Sequence, residues 1–278
     1  MSLPLWRSLL YVPVIEERFV AKAAARAADA IILDCEDSIP PARKAEARAA
    51  LAAAVPRVRA GGADVLVRIN RPLDMAVADI AAGRAAGADG FVLTKIMGPD
   101  HVRLLAELTG EAKLVPLVED AAALPHLHAI AASHPRIVAL GVGGEDLATD
   151  LGAEATPDAL EWPKRMSVLA SRAAGILPLG FIGTVAGLSD LDGYRAMLRR
   201  SRALGFACAS CVHPSQVPII NEEYGPRPED VARAERMVAA FDAALAQGLG
   251  AVAFEGQMID KPVVDRARAL LKRNRPAT

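Results

Sequence analysis

Arg68, Glu119 and Asp146 each stand at the end of a short apolar run. The runs are Asp64 to Asn70 (DVLVRIN), Lys113 to Asp120 (KLVPLVED) and Ile137 to Asp146 (IVALGVGGED). An apolar run of this length between helical patterns predicts a strand buried on both faces, so a charge past its end lies at one rim of a sheet. In α/β proteins that rim carries the chemistry. Glu119 and Asp146, delivered by different strands, suit magnesium, which takes one or two protein carboxylates and fills its other positions with water and substrate oxygens. An arginine beside them adds a fixed positive charge, and the set suits stabilisation of an enolate.

Neighbouring charges are sorted by the same logic. Glu119 and Asp120 are adjacent and point to opposite sides of a strand, as do Glu145 and Asp146, so at most one of each pair faces the rim. Asp120 and Glu145 read as helix N-terminal carboxylates. Asp34, Glu36 and Asp37 form an acidic cluster that needs an offsetting cation, and Lys95 could supply it. A Schiff-base role for Lys95 would need a desolvated amine, which nothing in the sequence shows. The glycines of Gly141-Val142-Gly143-Gly144 lack the third glycine of a dinucleotide loop and precede two acids that would repel a pyrophosphate. His126 and His128 read as surface residues, and His213 as an anchor for the rim. Cys35, Cys208 and Cys211 are odd in number and lie in apolar runs, which predicts buried thiols rather than disulfides or zinc ligands.

Strand-like and helix-like segments alternate along the chain, the pattern of a parallel sheet wrapped by helices. Strands are predicted at Ser8 to Val14, Ala30 to Glu36, Val65 to Asn70, Gly90 to Ile96, Leu114 to Val118, Ile137 to Gly141, Leu177 to Ile182 and Phe206 to Val212. Eight such strands close a (β/α)8 TIM barrel. Between them run alanine- and arginine-rich amphipathic stretches, with Gly87, Gly175 and Gly205 at their ends as helix-terminating glycines. The barrel is expected over residues 1–224, followed by a helical extension over 225–278. In that extension Pro228 to Ala246 and Lys261 to Lys272 read as helices. Between them Ala251 to Phe254 reads as a strand with no partner left in the barrel, so the piece is expected to pack on a neighbouring subunit or fold over the barrel mouth.

With 278 residues, 53% of them hydrophobic, the chain has ample material for one large core. A net charge of −1, with basic residues scattered singly, excludes the electrostatic footprint of a nucleic-acid or membrane-surface binder. No run is long enough to span a bilayer and no cleavable leader is apparent, so a cytoplasmic enzyme of small molecules is expected.

Six motifs then share one order: R-S-L-L-Y-V-P at Arg7, A-I-I-L-D-C-E-D at Ala30, V-R-I-N at Val67, V-L-T-K at Val92, G-G-E-D-L at Gly143 and H-P-S-Q at His213. In this the chain resembles the citrate lyase beta-subunit-like branch of the HpcH/HpaI aldolase superfamily. Near its end G-Q-M-I-D-K-P at Gly256 is similar to the terminal motif of malyl-CoA and citramalyl-CoA lyases. The resemblance implies a magnesium-dependent lyase that breaks or makes a carbon–carbon bond beside an acyl-CoA thioester carbonyl, working as a homo-oligomer, a trimer or hexamer. Glu119 and Asp146 would bind the metal, Arg68 the thioester oxygen or a substrate carboxylate, and Glu36 and Asp37 would line the substrate. Asp260 would be the acid/base, reaching the active site of an adjacent subunit. A metal-dependent aldolase of a free hydroxy-oxo acid, and a subunit of a lyase complex served by an acyl-carrier protein, are the alternatives. The chain departs from the family's usual residues at Val14, Gly183, Cys208 and Ala209.

Overall fold

The computed structural model describes residues 3–184 and 190–273. The chain divides into two compact units, Met1–Asn221 and Glu222–Thr278.

The first unit is a (β/α)8 barrel. Its strands are β1 (Ser8–Pro13), β2 (Ala30–Asp34), β3 (Asp64–Arg68), β4 (Gly90–Leu93), β5 (Lys113–Val118), β6 (Ala139–Val142), β7 (Leu177–Leu179) and β8 (Ala209–Cys211). All pair in parallel, in the order β7-β6-β5-β4-β3-β2-β1-β8, and a bridge between Leu179 and Cys208 joins the two ends. Around them run α1 (Glu17–Ala23), α2 (Lys44–Arg59), α3 (Leu73–Ala86), α4 (Pro99–Leu108), α5 (Leu127–Ala131), α6 (Gly144–Leu151), α7 (Pro157–Ala174) and α8 (Leu191–Ala203), with α9 (Gln216–Tyr224) following the eighth strand. Gly87 and Gly175 end α3 and α7 at φ of 81° and 70°, the left-handed turn that glycine adopts without a Cβ penalty.

Most strands are shorter than the apolar runs that announce them. The residues beyond each strand's C-terminal end, such as Cys35 and Glu36 after β2 or Ile69 and Asn70 after β3, are still buried. They line the rim just past the strands and still bond to the neighbouring strand, as when the Cys35 N–H donates to the Arg68 carbonyl at 3.1 Å and the Ile69 N–H to the Val92 carbonyl at 3.2 Å.

Side-chain alternation sets the core. Leu9, Ile32, Leu66, Val92, Val115 and Leu117 share one interior cluster, with Tyr11 packed against it. In a strand every second residue faces the same way. Asp34, Arg68 and Glu119 follow Ile32, Leu66 and Leu117 by two, so each continues the interior row upward to the C-terminal mouth. The three thiols are buried and free, as expected.

The second unit holds α10 (Pro228–Ala246), β9 (Ala251–Phe254), β10 (Gln257–Asp260) and α11 (Lys261–Arg273). Ala251–Phe254 finds its strand partner outside the barrel, where β9 pairs antiparallel with β10 in a hairpin. Glu255 and Gly256 form its two-residue loop with φ of 48° and 78°, the geometry that matches the twist of paired strands. Met237, Phe241, Ile259 and Val264 give this unit its own apolar cluster.

Candidate active site

Register places the first pair of charges. Asp34 on β2 lies directly across from Arg68 on β3, so both side chains project from the same face of the sheet. The Asp34 carboxylate accepts from Arg68 Nε and Nη2, both at 2.7 Å. Arg68 Nη1 lies 2.9 Å from Glu36 and 3.0 Å from Asp37. The guanidinium sits over the Tyr11 ring, 4.9 Å from its centre. Burial acts against the charge on Arg68, but the Asp34 hydrogen bonds and the surrounding acids outweigh it and hold the group firmly protonated. Burial likewise works against ionised Asp34, and the Arg68 contacts reverse the balance and hold its carboxyl below the ordinary value. Arg68 is therefore a fixed cation with a fixed orientation.

Glu119 is placed just past β5 and is buried. Its Oε2 accepts from the Lys95 backbone N–H at 3.0 Å, and among the described residues it makes no ion pair. Lys95 adopts φ of 49° to present that N–H, a conformation that costs a side-chain-bearing residue of order 1 kcal/mol. Gly143 makes room on the other side, since a Cβ there would stand 2.6 Å from Glu119 Cγ and Oε1. Burial, followed by the carboxylates of Asp146 and Glu36, pushes the Glu119 carboxyl up to about 7.

Asp146 reaches the mouth by a different route from the one its apolar run suggests. Strand β6 ends at Val142, and both Glu145 and Asp146 lie in the first turn of α6. Helical rotation, not strand alternation, separates them: Glu145 is exposed, while Asp146 is half-buried with Oδ2 3.6 Å from Lys95 Nζ. The Lys95 ammonium also lies 2.9 Å from Glu36 and 3.4 Å from Asp37. Burial opposes its charge, but the Glu36 hydrogen bond and these acids raise its pKa, so Lys95 is the counter-ion of the acidic cluster and not a free amine.

Arg68, Glu119 and Asp146 line one cavity of about 480 Å³ at the C-terminal mouth, with Asp37, Tyr11 and Lys164. Glu36 is turned into the ion pairs with Arg68 and Lys95 rather than outward. Val14, Cys208 and Ala209 are buried in the barrel wall, whereas Gly183 lines the cavity. Asp260 belongs to the second unit, exposed at the end of β10, its carboxylate 3.4 Å from the Val263 N–H. His126 and His128 are exposed. His213 bonds within its own turn, to Ser215 Oγ at 2.7 Å, so it organises the start of α9 and does not tie the rim together.

The donor set tests which metal fits. Among the described residues no group of three or more His, Cys, Asp or Glu side chains is arranged to hold an ion, while the Glu119 and Asp146 carboxylates both line the cavity as oxygen donors. That fits a hard cation keeping much of its shell as water and substrate, and does not fit zinc. Burial, and after it the charge of Asp146 and Glu36, raises the Glu119 carboxyl, and a divalent cation held there would favour its ionised form.

Lys164 was not legible among the rim charges. Its buried face was: Leu160, Ser167, Val168 and Ser171 of α7 are buried at helical spacing, and Lys164 lies in that stripe.

A family profile described as HpcH/HpaI aldolase/citrate lyase matches residues 7–214, three-quarters of the chain and the whole barrel. The chain belongs to that family. Aldolases and citrate lyases are carbon–carbon lyases, and the protein is an enzyme of that class. A (3S)-malyl-CoA thioesterase of Cereibacter sphaeroides is 32% identical over 269 residues, covering 96% of this chain and 93% of the relative. An L-malyl-CoA/beta-methylmalyl-CoA lyase of the same organism is 31% identical, with 96% and 93% covered. The crystal structure of CitE from Mycobacterium tuberculosis, in complex with magnesium, acetoacetate and coenzyme A, superposes with a TM-score of 0.80 at 32% identity, covering 96% of this chain and 97% of that one. Family members thus share this barrel over nearly its full length. No helix among the described residues is long and apolar enough to cross a membrane.

Proposed function

We propose that the protein is a magnesium-dependent lyase that cleaves or forms a 3-hydroxyacyl-CoA thioester of the malyl, citramalyl or citryl type, giving an acyl-CoA and a 2-oxo acid. The observation that carries this reading is the pairing, in one cavity, of a buried carboxylate that makes no ion pair among the described residues, Glu119, with Asp146, beside an arginine clamped in place by its own acids.

Glu119 and Asp146 are the residues that would hold magnesium. When bound, the ion supplies Lewis acidity toward the substrate's hydroxyl and carboxylate oxygens. Cleavage passes the carbon-3 hydroxyl proton to the carboxylate of Asp260, moves the electron pair of the bond between carbons 2 and 3 onto carbon 2, turns carbon 3 into the carbonyl of the 2-oxo acid, and leaves a thioester enolate. Arg68 stabilises the enolate oxygen. Three of its five N–H groups are committed to Asp34 and Asp37 and Glu36 crowds Nη1, which leaves a second Nη2 N–H for the substrate. Because Asp34 fixes the guanidinium beforehand, little reorganisation is required as charge develops. Asp260 then protonates carbon 2. Its assignment rests on the M-I-D motif, with the side chain supplied by a neighbouring subunit of a homo-oligomer, trimer or hexamer. Glu36 and Asp37 act on substrate through Arg68 and Lys95, and the reaction belongs to the cytoplasm.

The test is incubation with malyl-CoA and citramalyl-CoA, with magnesium or with a chelator, reading the 2-oxo acid. Release that needs both magnesium and the CoA thioester supports the reading. Release from a free hydroxy-oxo acid replaces it with an aldolase, and activity only on a carrier-protein thioester replaces it with a subunit of a lyase complex. The similarity to malyl-CoA thioesterases favours a second outcome, hydrolysis, which yields free CoA thiol and no oxo acid.

A further inference from the structure

Lys164 is a buried ammonium that the reaction described above does not use. It is only 5% exposed, and lysines are almost never so buried without a partner charge. Its Nζ donates to the Gly183 carbonyl and lies 5.4 Å from the centre of the Phe181 ring. Among the described residues it makes no ion pair. The side chain lines the cavity, and its Nζ is 3.2 Å from where a Cβ on Gly144 would stand, against the turn of α6 that presents Asp146. Burial pushes the amine down to about 8, with Glu145 partly offsetting it, so the group is mostly charged at neutral pH. An ammonium has three N–H donors. Among the described residues one is used, for the Gly183 carbonyl, and an uncompensated buried charge is costly unless an anion completes it.

The substrate class supplies one candidate anion. In the proposed reaction carbon 3 carries a hydroxyl, a carboxylate and one further substituent, which is hydrogen in malyl, methyl in citramalyl and carboxymethyl in citryl thioesters. Hydrogen and methyl have nothing to offer a buried ammonium. A carboxymethyl arm does.

We propose that Lys164 is a specificity-determining residue that receives a carboxylate on that third substituent, so that the departing fragment is a four-carbon 2-oxo diacid. The proposal rests on the lyase reading and deepens it. Arg68 and Lys164 then divide the work: Arg68, held by Asp34, meets the enolate oxygen, and Lys164, on the α7 side of the cavity, meets the far carboxylate of the oxo acid.

The experiment is calorimetric titration of the magnesium-loaded protein with oxaloacetate and with pyruvate, comparing wild type, Lys164→Met and Lys164→Gln. Wild type is expected to bind oxaloacetate at least tenfold more tightly than pyruvate. Removing one partner of a buried charge pair should weaken oxaloacetate about 30-fold or more, while pyruvate changes less than threefold. Lys164→Gln keeps a donor for the Gly183 carbonyl, and thermal melting of both variants verifies folding. Equal weakening of both acids assigns Lys164 to structure or to the shared carboxylate and overturns the proposal, as does unchanged binding of oxaloacetate. Pyruvate binding that persists in these cases leaves the lyase reading standing, whereas a wild type that binds neither acid sinks both. A borohydride-trapped adduct on Lys164 would replace the ionic role with a covalent one.

Discussion

Replacing Glu119 by glutamine removes a charge that the metal-free fold tolerates poorly, and the size of the effect follows from the site. Burial and the facing carboxylates raise the Glu119 carboxyl from 4.5 to about 7, which corresponds to about 3 kcal/mol at about 1.4 kcal/mol per pH unit. Between those two values the folded protein holds a proton that the unfolded chain has released. Its contribution to stability therefore declines as pH rises through this window and is constant above about 7. Glutamine keeps an oxygen for the Lys95 N–H and has no such decline. Urea unfolding of the metal-free proteins at pH 5 to 8.5 should show Glu119→Gln gaining on wild type as pH rises, to an advantage of about 3 kcal/mol above pH 7. Saturating magnesium should then reverse the order, because only wild type gains the binding energy of the ion. Parallel stability curves across this range, or equal stabilisation of both proteins by magnesium, would refute the assignment of Glu119 as a ligand raised by its neighbours.

Three further outcomes test the supporting residues. Asp34→Asn breaks the buried pair with Arg68 and should cost about 3 kcal/mol. Because Asp34 is held below its ordinary value, the deficit should be complete above about pH 5 and shrink as wild type is acidified through the folded pKa. Gly143→Ala has an acceptable backbone but places a methyl 2.6 Å from Glu119 Cγ. Calorimetry should show magnesium affinity lowered about tenfold or more, with the far-ultraviolet circular dichroism unchanged. Asp260→Asn should lower kcat by about 10² to 10⁴ with magnesium binding intact. Mixed oligomers of Asp260→Asn and Glu119→Gln subunits should regain part of the activity, and mixing without any recovery would count against a site shared between subunits.

Much of the barrel was legible in the chain because its strands are largely buried on both faces and so leave short apolar runs set between helical patterns. Those runs overstate the strands, since rim loops are as buried as the sheet beneath them; Cys35, Ile69 and Asn70 belong to the loops. The hairpin in the second unit was only half visible. Ala251–Phe254 has a strand's composition, but its partner Gln257–Asp260 is three-quarters exposed and lacks an apolar signature. Its identity depends on the positive φ of Glu255 and Gly256, which composition alone does not announce.

For the site, the sequence by itself determined which charges stand at strand ends: the two-residue alternation that buries Leu66 and Leu117 also delivers Arg68 and Glu119 to the mouth. Only the tertiary structure decided how those charges are spent. Parallel register sets Asp34 opposite Arg68 and turns a cation that could have met solvent into a clamped one. Three chain segments distant in sequence bring Lys95 to Glu36, Asp37 and Asp146, and Gly143 to Glu119. Lys164 enters the cavity from a helix outside the sheet. Alternation is a local property and is written in the chain, whereas charge pairing and the pKa values that follow depend on distances between segments that meet only when the barrel closes.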